Sequence, residues 1–279
     1  MESVKEPESK YFKVQNLHDL GPHLPIIRKV NSVFIDKREF SFRSWTFETE
    51  EKIGDLKKNA KGPGDFAVSL LAEMLDQYCG ENFADMDVKK KEAILSAESF
   101  GNIMYMYFYL RYDEVDNMLK MNLTCPHNDC GELINDFTVD LNDLEVHVKD
   151  ETHEREILYE LKNPILFAGR TVTHVKLGVT AWAMMISASQ EVAENTGKMK
   201  RIMLQNSITG LQTDTEFPLP MSEVLKDMKK YDIEKCISLV VQNNAGPKMG
   251  MSGECPHCKK KFFKDLNWSY DYFFDSSSL

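Results

Sequence analysis

The sequence predicts an α+β fold: a helical N-terminal region, a split four-cysteine ribbon and an inserted strand-plus-helix domain. Three observations predict it. Helical periodicity dominates residues 46–113. Two-residue alternation with turn signals dominates 131–177. Two close cysteine pairs, in TCPHNDCGEL and GECPHCKKKFF, each sit in a small polar turn between strand-like runs. The chain accordingly divides into residues 1–116 (a hairpin plus helices), 117–150 (the first half of the ribbon), 151–245 (the inserted α+β domain) and 246–279 (the second half of the ribbon with an aromatic C-terminal tail).

Residues 1–25 carry prolines and turn formers that break any period, and they read as irregular. In 26–45, Val33, Ile35, Phe40 and Phe42 alternate, and Asn31-Ser32 and Asp36-Lys37 can turn the chain, so a strand or hairpin is expected. Thr46 can cap a helix through 48–58, which Lys61-Gly62-Pro63-Gly64 stops. Residues 65–80 place Phe66, Leu70, Leu71, Met74 and Leu75 on one face, a helix ended by Gly80. A third helix begins after Asp87. The fourth, 98–113, is apolar nearly all round, which makes it the central helix of this half. Its stripe of Tyr105, Phe108, Tyr109 and Tyr112 reads as core packing or a partner groove.

Leu133, Phe137, Val139, Leu141, Leu144, Val146 and Val148 mark one or two strands. Residues 157–167 and the run after Ala168-Gly169 read as a hairpin. From Thr180 the pattern turns helical, over 181–195, 198–208, 221–232 and 233–244. Gly246-Pro247 breaks the last helix, and 249–254 and 261–268 are the strands entering and leaving the second cysteine turn.

The cysteine pattern is Cys125-x4-Cys130 and Cys255-x2-Cys258, with residues 131–254 between the pairs. Short turns of this kind place two soft thiolates on one ion, and two of them complete a tetrahedron. Proline after the first cysteine of each pair fixes φ. Gly131 permits the left-handed conformation that such a turn often needs. The expected site is one structural Zn2+ held by Cys125, Cys130, Cys255 and Cys258. Four protein ligands leave no open position for water or substrate, so the expected role is architectural. His127 or His257 in place of one cysteine, and iron–sulfur ligation by the same thiolates, are the alternatives. A redox disulfide across the CPHC turn would need a helix starting at the motif, whereas KKKFFKDLNW reads as a strand. The two lone cysteines, Cys79 and Cys236, read as buried small hydrophobes.

At 279 residues the chain is long enough for one large domain or two ordinary ones. It is 42% hydrophobic and 28% charged, the profile of a soluble globular protein. No apolar run approaches the ~20 residues of a membrane span, and MESVKEPESK has no signal-peptide core. A cytoplasmic protein is expected, in which closely paired cysteines read as metal ligands before disulfides. The net charge of −10 disfavours general nucleic-acid binding, because the lysine clusters at 89–91, 229–230 and 259–261 are short. No phosphate loop, HExxH, GxSxG or framed carboxylate pair is present, so neither an enzyme nor a small-molecule substrate is expected. His147, His153 and Asp150 can be drawn as a cluster but read as exposed strand and turn residues.

From Leu219-Pro220 onward the order is two helices, a Gly-Pro break, a strand, a CPxC turn, a strand and a Phe273-Phe274 ending. With Cys125, Pro126, Cys130, Gly131, Cys255, Pro256, Cys258, Trp268, Phe273 and Phe274, this order resembles the T4-type baseplate hub family of contractile-tailed bacteriophages, over roughly residues 115–279. The x4 spacing departs from the commoner x2. The segment YELKNPILFAGRTVTHVKLGVTAWAMM (159–185) resembles the opening of Mu-type tail assembly chaperones.

The resemblance implies a non-enzymatic structural or assembly component of the central hub region of a tail baseplate. Such a protein works through contacts with other tail and baseplate proteins, in the host cytoplasm during assembly and in the virion if retained. The alternatives are a tail assembly chaperone absent from the mature particle and a zinc-ribbon adaptor in a nucleic-acid machine, which the charge argues against. Trp268, Tyr270, Tyr272, Phe273 and Phe274 are the candidate partner-binding residues, since aromatic anchors are enriched at interfaces.

Overall fold

A computed structural model describes residues 13–26, 28–30, 33–35, 37–149, 156–187, 195–213, 221–248 and 250–265. Helices and strands are both present, giving the α+β class that the sequence predicts. In the helix Phe47–Asn59, Thr46 Oγ1 accepts the Thr49 N–H at 3.3 Å, and Lys57 and Lys58 sit in the last turn, where they oppose the helix dipole. The next helix, Pro63–Met74, opens on a proline, which is tolerated where no backbone donor is needed. Pro63-Gly64 thus begins a helix as well as ending one. The central helix Phe100–Glu114 is buried on nearly every side. Around it lies a core that includes Phe66, Leu70, Met74, Tyr78, Ile103, Tyr105, Phe108 and Trp182. The tyrosine stripe is core packing: Tyr105 and Tyr109 both stack edge-on against Phe40.

Several expected boundaries are corrected. The helix expected over 65–80 ends at Met74. Leu75–Tyr78 is a strand between Phe40–Phe42 and Glu81–Asn82, with Cys79 and Gly80 at positive φ in the turn. Leu75 and Tyr78 stand three apart, a helical spacing, yet as strand residues on opposite faces both are buried. Residues 1–25 are not irregular throughout: Lys13–Asn16 is a strand paired with Glu145–Val148. Its one apolar residue, Val14, is exposed, so no alternation marks the strand, and the ladder partner supplies its stability. Gly246-Pro247 both ends the last helix and pairs as a short strand with Val146 and His147. The last two helices are Met221–Asp227 and Lys230–Asn243, which moves Asp232 into the first turn of the second. Of the helix expected at 181–195, Ala183–Ser187 is seen, and 188–194 lie outside the described residues.

A second core is drawn from described residues between Ile157 and Val240. Ile157–Phe167, Arg170–Leu177 and Ile208–Thr213 form an antiparallel sheet in that order. Thr196–Ser207, Met221–Asp227 and Lys230–Asn243 pack with it around Leu161, Val172, Val175, Leu204, Val224 and Cys236. Asp232 is fully enclosed. It accepts from Tyr159 Oη and Lys162 N through Oδ1, and from Asn163 N and Nδ2 through Oδ2. These bonds take up the backbone donors freed where the strand register shifts between Glu160 and Ile165.

The chain returns from this unit through a close crossing. A Cβ on Gly101 would lie 1.8 Å from Ala245 O, and one on Gly246 would lie 2.6 Å from Gly101 Cα. Only a glycine pair lets the central helix touch the returning strand. Thr180 and Asn244 clamp the same place: Thr180 N–H donates to Asn244 Oδ1 at 3.1 Å, and Asn244 Nδ2 donates to Thr180 Oγ1 at 3.2 Å. Trp182, between the second and third strands of the second unit's sheet, is buried in the first core, where its Nε1–H donates to Gly64 O at 2.9 Å.

Candidate metal centre

Two hairpins carry the cysteine turns. The first pairs Met118–Thr124 with Leu133–Asp140, and the second pairs Gly250–Glu254 with Lys261–Asp265. Their local geometry matches position by position. Cys125 N–H donates to Glu132 O at 2.9 Å, and Cys255 N–H donates to Lys260 O at 3.0 Å. The residue after the second cysteine is left-handed in both turns: Gly131 at φ 63 and Lys259 at φ 58. The x4 and x2 spacings therefore reach the same exit geometry. In the longer turn, His127 O accepts both the Cys130 and Gly131 N–H groups, at 2.9 and 3.0 Å.

The hairpins pack against each other through Phe137 and Phe262, whose ring centroids are 5.6 Å apart. A Cβ on Gly253 would lie 2.6 Å from the Phe137 ring, so the missing side chain lets the two hairpins close.

At the tips of the hairpins the four sulfurs of Cys125, Cys130, Cys255 and Cys258 lie within 4.8 Å of one another. Two separations cross between hairpins: Cys125 to Cys258 at 3.9 Å and Cys130 to Cys255 at 3.8 Å. A disulfide needs about 2.05 Å. Thiolates held ~2.3 Å from a single tetrahedral ion stand ~3.8 Å apart, which is the spacing found. A cluster of several irons would hold its thiolates further apart. Cys125 and Cys255 are buried, and Cys130 and Cys258 are half-buried.

The electrostatics are those of four crowded thiols. Burial works against charge on Cys255, yet the N–H groups of Cys258 and His257 and the thiols of Cys125 and Cys258 hold it down to about 6. Burial pushes Cys125 up, with Cys255 and Cys258 adding to the rise. The Glu132 N–H pulls Cys130 down, but burial and its three sulfur neighbours overcome this and push it up to about 12. Charge on one sulfur opposes charge on the next, so all four could be thiolates together only around a positive ion.

Neither histidine of the turns joins the sulfur group. His127 Nε2 lies 3.1 Å from Lys261 O, and His257 Nε2 lies 3.2 Å from Leu133 O. Lys260 Nζ and Asp129 Oδ2 form an ion pair across the same interface. These cross-hairpin links join the two cysteine turns, and the sequence reading missed them. The signal was the identical Cys-Pro-His triplet at 125–127 and 255–257.

His147 is half-buried in the strand Glu145–Val148, while Asp150 and His153 lie outside the described residues. So do Trp268, Tyr270, Tyr272, Phe273 and Phe274, the candidate partner residues. Cys79 and Cys236 are both buried and stand outside the sulfur group, and burial pushes the Cys236 thiol up to about 12. No helix among the described residues is long and apolar enough to cross a membrane. No protein-family model matches the chain, and no curated protein or solved structure matches it.

Proposed function

We propose that this protein is a non-enzymatic structural or assembly component of the central baseplate region of a contractile phage-type tail, acting through protein–protein contacts and held together by one structural zinc ion. The observation that carries the architectural part is the closed set of four thiols, which joins two hairpins across a separation of 125 positions between Cys130 and Cys255. Zinc is the ion that this donor set fits. It takes four thiolates tetrahedrally, forms no redox couple and, fully ligated by protein, offers no site for substrate. Its binding free energy becomes folding free energy for the loop it closes.

The baseplate assignment rests on the resemblance of residues 115–279, with its order of helices, strands and CPxC turns. The test is quantitative mass spectrometry of purified tail particles beside the lysate they came from. A fixed copy number per particle supports a structural baseplate protein. Abundance in the lysate with absence from particles favours the assembly chaperone. A salt-sensitive shift of DNA or RNA near physiological ionic strength would instead favour the nucleic-acid adaptor.

A further inference from the structure

We infer that His127 and His257 form a reciprocal brace that holds the two half-sites at ligand spacing and so sets how tightly the metal is held. This inference rests on the zinc reading above. The two hairpins are related position by position, Cys125 to Cys255, His127 to His257 and Leu133 to Lys261. Each histidine lies two residues after the first cysteine of its own turn. Each reaches a carbonyl three residues past the second cysteine of the other turn, at 3.1 and 3.2 Å. A carbonyl only accepts, so Nε2 carries the proton in both rings, and both act as donors.

Both bonds run between hairpins rather than within one. Neither hairpin can rotate away from the other without breaking them.

The physical lever is effective concentration. Each turn offers two thiolates, a weak half-site by itself. Tight binding needs the second pair held within a few ångströms of the first, and linking two half-sites converts the second capture into an intramolecular step. Chain connectivity supplies little of this, since 125 positions separate the nearest cysteines of the two turns. Contacts across the hairpin interface must supply it. Among them, beside the Lys260–Asp129 ion pair, the two histidine bonds run in both directions and so tie each turn to the other. Groups that orient metal ligands in this way typically change affinity 10- to 100-fold when removed. His127 and His257 are positioning residues here, not ligands.

The test uses the full chain, stripped of metal under reducing conditions, with zinc affinity read by competition against a chromogenic chelator. His127→Ala and His257→Ala are each expected to weaken zinc binding about tenfold, and the double variant more. Glutamine places an amide N–H where Nε2 stood, so His127→Gln and His257→Gln should recover most of the loss. Asparagine, one methylene shorter, should not. This Gln-against-Asn comparison keeps the test open should the alanine variants fail to fold.

Cobalt-substituted protein should show the four-thiolate absorption in every variant. The brace is overturned if the Asn and Ala variants bind zinc within about twofold of the parent, or if Gln does no better than Asn. It is overturned differently if the cobalt spectrum loses thiolate character on removing a histidine, for that histidine would then be a ligand. A parent chain that takes up neither zinc nor cobalt would defeat the zinc reading itself, and is told apart by the first titration.

Discussion

Gly101→Ala separates tertiary packing from helix propensity, because the two predict opposite signs. On propensity alone, replacing a helical glycine by alanine stabilises by up to about 1 kcal/mol. The structure says otherwise. The new Cβ would lie 1.8 Å from Ala245 O and 2.7 Å from Ala245 C, both backbone atoms. Ordinary contact begins near 3.4 Å, so the central helix and the returning strand must part by more than an ångström. That movement strains the pairing of Gly246 with His147 and of Pro247 with Val146. Overpacking of this kind costs about 1–3 kcal/mol, and each lost hydrogen bond adds about 1. After the propensity gain the variant should be about 2–4 kcal/mol less stable in urea unfolding.

Zinc affinity should fall too, because the strand that enters the second cysteine turn starts at Gly250, only a few residues past the crossing. Gly54→Ala is the control. It lies in the helix Phe47–Asn59 with nothing within 4 Å of the added carbon, and should stabilise by about 0.5–1 kcal/mol. A Gly101→Ala chain as stable as its parent, or stabilised like the control, would refute the crossing as the element that sets the return path.

Lys259 occupies a left-handed position that glycine fills in the other turn. Lys259→Gly relieves about 1–2 kcal/mol of strain and adds about 0.5–1 of unfolded-state entropy, so a net stabilisation between zero and about 1.5 kcal/mol is expected in thermal unfolding. Asp232→Asn turns an acceptor towards the donors of Lys162, Asn163 and Tyr159 into a donor, and should cost about 1–3 kcal/mol. Burial pushes the Asp232 carboxyl up, but the bonds from Asn163, Lys162 and Tyr159 outweigh it and hold its pKa below the usual carboxylate value. A depressed folded pKa means that this contribution is complete above the unfolded value, about 3.9, and is lost as pH falls through the folded one. Amide protection at Lys162 and Asn163 should therefore hold at pH 5 and fall in stronger acid. Protection that rises on acidification would contradict the clamp.

The four-cysteine cluster was the most legible part of the sequence because its signal is local. A cysteine, a proline and a second cysteine encode their own turn, and Gly131 announced the left-handed exit that it adopts. The central helix was legible for a similar reason, since a segment apolar on all sides has few places to go. What the sequence hid depends on distant partners. Lys13–Asn16 is a strand only because Glu145–Val148 lies beside it. Leu75 and Tyr78 stand three apart, a helical spacing, and the strand forms because Phe40–Phe42 lies beside it. The histidine brace joins residues 134 and 124 positions apart, and no spacing rule reports which carbonyl a turn will face.

The most direct test of the central claim is the zinc content of the purified full chain, measured by elemental mass spectrometry beside Cys125→Ser and Cys255→Ser. One cysteine is taken from each turn, so a single shared ion makes both variants fail together. The account predicts one equivalent of zinc in the parent, and in each variant its loss together with lowered cooperative stability. A parent without metal, or serine variants that keep full zinc and stability, would contradict it.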